Sequence, residues 1–258
     1  MILRRITKHV KDQNWFAVAL DFVIVVIGVG VALAAGEWLN ARAVKADLKR
    51  AEITIHAAVY YNYLNALERI AVKACTAAQI RQVADRLKSH EETWMPVEPI
   101  SVGGDMAGAL GTVLRSPYRG WSTDAWKTAG DSGLLIYMDP ERRDVLSGIF
   151  VVSETLGEHE DSIFKQQSEL KALMIASELS SADRLRYYDV LAEIDAASAL
   201  IEVGAEFVIQ DTESLDISLD PEFEETFLEN VASRNRLGLE VYGDCFEPMV
   251  LPGTEGTP

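Results

Sequence analysis

The chain opens on a run that is apolar on every side, then changes to apolar residues set at helical intervals. Trp15 to Ala35 spans 21 residues with Asp21 as the single charge. At 1.5 Å per residue that is roughly 30 Å, the thickness of a bilayer's hydrocarbon core. Trp15 and Trp38 stand near its ends, where indoles favour the headgroup layer. No Pro or Gly interrupts residues 37–95, so the same helix is expected to continue to about His90. Beyond the apolar run, Ile53, Ala57, Tyr60, Leu64, Leu67, Ala71, Ala74 and Ala78 alternate at intervals of four and three, the spacing of a bundle's core stripe.

Residues 93–122 break this regularity with Pro96, Pro99, Gly103, Gly104, Pro117 and Gly120. Within them Asp105 to Leu114 is expected as a short helix and Val97–Val102 as a strand candidate, with Ile209–Leu219 the only other one. Ser122 or Thr123 can cap a short helix around Ala125–Thr128, ended by Gly130 and Gly133. Asp139-Pro140-Glu141 is a helix start with Pro at the first helical position, and Asp220-Pro221-Glu222 repeats it. The helix after Asp139 carries Val145, Ile149, Val152, Leu156, His159, Ile163, Gln166, Leu170 and Leu173 on one face. After a restart at Ser180 or Ser181 comes Tyr187, Leu191, Ile194, Ser198, Ile201, Ala205, Val208, and Phe223, Phe227, Val231 head a last helix. The expected fold is all-α: an N-terminal transmembrane helix continuing into an extracytoplasmic antiparallel helical bundle. The expected divisions are a basic tail over 1–14, a span over 15–38, a helical domain over 39–246 and a disordered tail over 247–258.

Charge sharpens the division. Net charge is −16, yet residues 1–36 carry Arg4, Arg5, Lys8 and Lys11 against Asp12 and Asp21, which leaves −18 for the rest. Such an acidic body repels nucleic acid, so no nucleic-acid partner is expected. A cleaved leader is the rival reading of the N-terminus, because Ala32-Leu33-Ala34 resembles a processing site. The length of the run and Asp21 within it favour a retained anchor. Lys and Arg number four before the span and four soon after it, so the positive-inside count is tied. A short basic tail crosses a membrane poorly, and long domains cross regardless of charge. The expected placement is therefore the inner membrane, N-terminus inside, with the main domain periplasmic.

Asp21, Gly28, Ala32 and Gly36 fall on one side of the span. Small residues four apart admit a close neighbour, and an intramembrane carboxylate calls for a polar partner. A contact with another membrane protein, or with a second copy, is expected there beside the lipid itself. The alternative is that such small residues are ordinary in spans. Cys75 and Cys245 are an even pair in a domain expected to face an oxidising space, and a bridge between them would close a long loop. His159, Gln166 and Ser198 could form a polar layer that takes a small ligand, or could satisfy one another within a bundle. Trp94, Tyr118, Trp121 and Trp126 gather in and around the irregular segment, as an interaction surface or as packing of that segment.

Gly130-Asp131-Ser132-Gly133 superficially resembles a protease nucleophile segment, but its helical context reads as a turn. No phosphate loop, dinucleotide fingerprint, nucleophile elbow or zinc helix is present, and no cofactor is expected. The acidic run from Asp211 to Glu225 lacks the central Gly of a calcium loop.

Phe16-Ala17-Val18, Asp21-Phe22-Val23-Ile24-Val25 and Gly28-Val29, followed by Trp38-Leu39-Asn40-Ala41-Arg42, resemble the anchor of a group of bacterial single-span membrane proteins. Trp126 to Ser132-Gly133-Leu134-Leu135 is similar, more loosely, to a second segment of that group. Leu39, standing between Trp38 and Asn40, departs from its pattern. The resemblance implies a bacterial, mostly helical, single-span protein and brings no activity with it. Together these readings point to a non-enzymatic accessory or scaffold protein of the bacterial envelope. The alternative is a ligand-sensing bundle that works with a separate signalling partner.

Overall fold

A computed structural model describes residues 15–89, 93–97, 112–215, 217 and 221–251. The basic tail, nearly all of the Asp105–Leu114 helix and the Val97–Val102 strand, the Asp220 cap and the end of the tail lie outside the described residues. Among the described residues the structure is all-α, with five α-helices and one minimal strand pair. They are α1 (Trp15–Lys88), α2 (Asp124–Asp131), α3 (Pro140–Glu169), α4 (Ser181–Ser214) and α5 (Pro221–Tyr242). β1 (Thr93–Trp94) pairs antiparallel with β2 (Ser177–Glu178). The Ile209–Leu219 strand candidate is corrected: Ile209 to Ser214 complete α4, where Val208 and Thr212 are buried one turn apart.

The chain divides into two units at Arg50 and Ala51. The first holds the apolar half of α1, long and apolar enough by length and composition to cross a bilayer. From Ala19 to Ala43 every side chain is exposed, including Phe22 at 69% and Leu33 at 65%. The second unit is a packed helical body. Its α3 and α4 run antiparallel, shown by Gln166 meeting Glu193 at one end and Gly148 meeting Asp211 at the other. Gly204 permits that closeness, because a Cβ there would lie 2.6 Å from Leu156.

The body is not antiparallel throughout. Asn62 meets Ser153 and Arg69 meets Glu160, so α1 and α3 run in the same direction. Tyr60 meets Phe223 and Glu68 meets Arg234, so α5 runs with α1 as well. The long connection between α1 and α3 returns the chain to the end where α1 entered, which a short turn could not do.

Local signals explain the helix ends. Asp139 accepts a hydrogen bond from the Arg142 amide with Pro140 at the first helical position, and Ser180 forms a reciprocal capping box with Asp183. Gly133 at φ 71° turns the chain after α2. After α5, Gly243 at φ 65° reverses the chain so that Phe246 lies against Gly238, where a Cβ would sit 2.3 Å from the ring. Residues 247–251, expected as disordered tail, are instead held in place. The Glu247 amide donates to the Ala71 carbonyl, Asn235 pairs with the Met249 backbone in both directions, and Met249 is buried. Cys75 and Cys245 form a disulfide beside Tyr63, Leu64, Val72, Phe227 and Phe246.

A candidate ligand cavity beside a buried ion network

The expected core stripe of α1 is buried at Leu64 and Ala71, but most of it lies two positions before the one the fold buries most deeply. Ile53, Ala74 and Ala78 are exposed, whereas Ile55, Val59, Asn62, Ala66, Arg69, Val72, Thr76, Ile80, Val83 and Leu87 are buried. Polar residues stand on that stripe because they hold the irregular segment. An extended backbone pressed onto a helix cannot pair with itself, so its amides and carbonyls need side-chain partners. Asn62 donates to the Ser122 carbonyl and accepts from the Ser122 amide, at 2.9 and 2.8 Å. Asn65 donates to the Gly120 carbonyl at 3.0 Å, and Gln79 accepts from the Arg115 amide at 2.7 Å. α1 thus pins residues 115–122 at three heights.

Those attachments gather an ion network. Arg69 donates through Nε and Nη2 to Glu160 Oε1 at 2.9 and 2.5 Å, and through Nη1 to Ser116 at 2.7 Å. Arg119 binds Glu68 bidentately at 2.8 and 2.9 Å, and Arg234 reaches the same carboxylate at 2.8 Å. The hydrogen bond from Arg119 to Glu68 raises the Arg119 pKa, whereas burial lowers that of Arg234. A guanidinium starts so far above neutrality that both remain charged. Two carboxylates therefore face three arginines, and Arg115 is a fourth. Its Nη1 donates to the Val241 carbonyl, its guanidinium lies 5.8 Å from the Tyr242 ring centroid, and no carboxylate pairs with it among the described residues.

A cavity of about 530 Å³ opens beside this network. Arg69, Arg115, Arg119 and Glu160 supply charge, Tyr242 a phenol, and Leu114, Ile163, Phe164, Leu237 and Phe246 apolar walls. Burial, with Glu68 nearby, pushes the Tyr242 pKa up to about 12, so the phenol stays protonated as a donor. Gln167 also lines the cavity. It is 7% exposed, and its Oε1 is buried without a hydrogen-bond partner. This is the size and make-up of a small-molecule pocket: apolar walls with a few convergent polar groups.

The residues singled out from sequence do not converge here. His159 is half-buried on α3 and is not among the cavity's lining residues. Gln166 donates to Glu193 on α4 at 2.7 Å, and Ser198 lines a small recess with Arg69, Thr76 and Ser116. Trp94 is buried, donating to the Leu173 carbonyl with the Arg86 guanidinium 4.4 Å over its ring. Trp126 stacks on Phe150 at 5.3 Å, and Trp121 packs near Gly157. Tyr118 alone of the aromatic group lines the cavity, its hydroxyl donating to Asp161. Ser132 spends its hydroxyl on the Thr128 and Ala129 carbonyls, as a turn residue does. Asp21 and the Gly28, Ala32, Gly36 face are exposed, with nothing within 4 Å of a Cβ placed at either glycine. Among the described residues no group of three or more His, Cys, Asp or Glu side chains is arranged to hold a metal ion.

The residues missed were neighbours of those chosen. On α3 the buried stripe is Ile149, Ser153, Leu156, Glu160, Ile163, Gln167, Leu170, again at intervals of four and three. Its apolar members were read correctly from the sequence. The polar positions expected on it, His159 and Gln166, each stand one residue before the buried Glu160 and Gln167, and a strict repeat through Leu156 and Ile163 admits Glu160 equally well. Compared with known proteins, the chain matches no family model, no curated protein and no solved structure.

Proposed function

We propose that the protein is a single-span component of the bacterial inner membrane, with its helical body on the periplasmic side, acting without catalysis through contacts with other proteins. One observation carries this reading: on a single continuous helix, the stretch from Leu20 to Leu39 exposes its apolar side chains on all faces. Exposed apolar area on that scale is costly in water and costs nothing in hydrocarbon. The Cys75–Cys245 bridge supports an oxidising compartment for the body. The resemblance of the anchor to a group of bacterial single-span proteins is consistent with both.

Within the span, Asp21, Gly28, Ala32 and Gly36 form the face offered to another helix, from a second copy or a different membrane protein. The test is purification from membranes in mild detergent, comparing wild type with Gly28→Leu/Ala32→Leu. A companion chain or oligomer present in wild type and lost in the variant supports the contact reading; identical complexes in both defeat it. A second reading, a ligand-sensing body that signals through a separate partner, is favoured by the cavity of about 530 Å³, which Arg115 and Tyr242 line among apolar walls.

A further inference from the structure

The cavity and its ion network lie wholly within the unit that begins at Ala51, so what they bind can be argued without the membrane reading. A charge set against apolar walls is ordinarily balanced by an opposite one. Glu160 is spent on Arg69, and Glu68 is shared by Arg119 and Arg234, so among the described residues no carboxylate pairs with Arg115, which lines the cavity. The surrounding wall is apolar, from Leu114 and Ile163 to Phe246.

We propose that this cavity binds a small organic carboxylate that carries an apolar body, such as an N-acylated apolar amino acid. The carboxylate pairs with Arg115, whose planar fork matches it. The Tyr242 phenol, protonated at any physiological pH, donates to the second carboxylate oxygen. The apolar body fills the space against Ile163, Phe164 and Phe246. A neutral analogue leaves Arg115 unpaired, so the site discriminates against it. This goes beyond the contact reading and gives the sensing reading its ligand class.

The test uses the full chain in lipid nanodiscs and N-acetylphenylalanine as probe, titrated calorimetrically. Its uncharged amide is the control. Wild type is expected to bind the carboxylate saturably, with the amide at least about tenfold weaker. Arg115→Gln should weaken the carboxylate by about tenfold while leaving the amide unchanged, a split that a general loss of structure would not produce. Should Arg115→Gln fail to fold, Leu237→Trp, at a half-exposed wall position, should block both probes while circular dichroism stays native. No saturable binding by wild type up to about 10 mM, or equal affinity for carboxylate and amide, overturns the proposal. Because the cavity lies wholly within the unit that begins at Ala51, a negative result leaves the membrane reading standing.

Discussion

The two halves of α1 are one backbone with opposite logic. From Leu20 to Leu39 it carries almost nothing but apolar side chains and buries none of them among protein. From Ile55 to Leu87 it carries Asn62, Asn65, Glu68 and Arg69 and buries all four. Composition alone would assign the first half to a core and the second to a surface. The difference teaches that a helix face is buried by what packs against it. Asn and Arg belong inside where a segment of irregular backbone brings carbonyls, amides and carboxylates to meet them. On the proposed reading, leucine and valine stay outside because the solvent there is lipid.

The body half of α1 is held by features that can be removed one at a time, and the apolar half should not respond. The largest effect is expected from Cys75→Ser/Cys245→Ser. The bridge spans 170 residues, and in the chain-entropy treatment closing such a loop contributes up to about 5 kcal/mol. Thermal unfolding with and without reductant measures it; an unchanged midpoint would show that the tail hydrogen bonds alone hold residues 246–249. Next is Glu160→Ala, which strands Arg69 at 8% exposure and should cost on the order of 3–5 kcal/mol. The double variant Arg69→Met/Glu160→Leu should recover most of that, because it removes both charges together. If the double is as damaged as the single, the pair is holding more than itself.

The fold was legible in the sequence where apolar spacing and turn chemistry acted together. The α3 and α4 stripes, the Asp139-Pro140 start and the Ser180 cap follow from short-range rules, and the structure carries each of them. The direction of α1 relative to α3 was not legible. It depends on where a long irregular connection lands, which Asn62, Asn65 and Gln79 decide through hydrogen bonds to backbone far along the chain. The cavity was missed for the same reason: reading a stripe by its apolar members passes over Arg69 and Glu160, whose burial depends on their meeting across 91 residues. Arg115 and Arg119, in a segment without periodicity, gave no signal of their own.

Smaller effects test the packing around that network. Gly204→Ala should cost about 1–3 kcal/mol, since Leu156 is buried and has no room to move aside; chemical denaturation reads this directly. The smallest is a pH effect. Burial, reinforced by the Arg142 guanidinium, lowers the His56 pKa to about 4, and Arg142 donates to its Nε2 at 2.7 Å. The unfolded chain binds a proton at His56 below about 6.5 that the folded chain refuses until about 4. Stability from this source is therefore present above pH 6.5 and lost as pH falls towards 4. His56→Asn should flatten that slope in urea titrations taken across the window, and an unaltered slope would assign it to other groups.

The account rests on the apolar half of α1 staying in lipid. Alkaline extraction of membranes, followed by mass measurement of the protein recovered, tests this most directly. The predicted result is a chain that sediments with the membranes and keeps residues 15–35. A chain that begins near Ala35 and is released into the supernatant would contradict it.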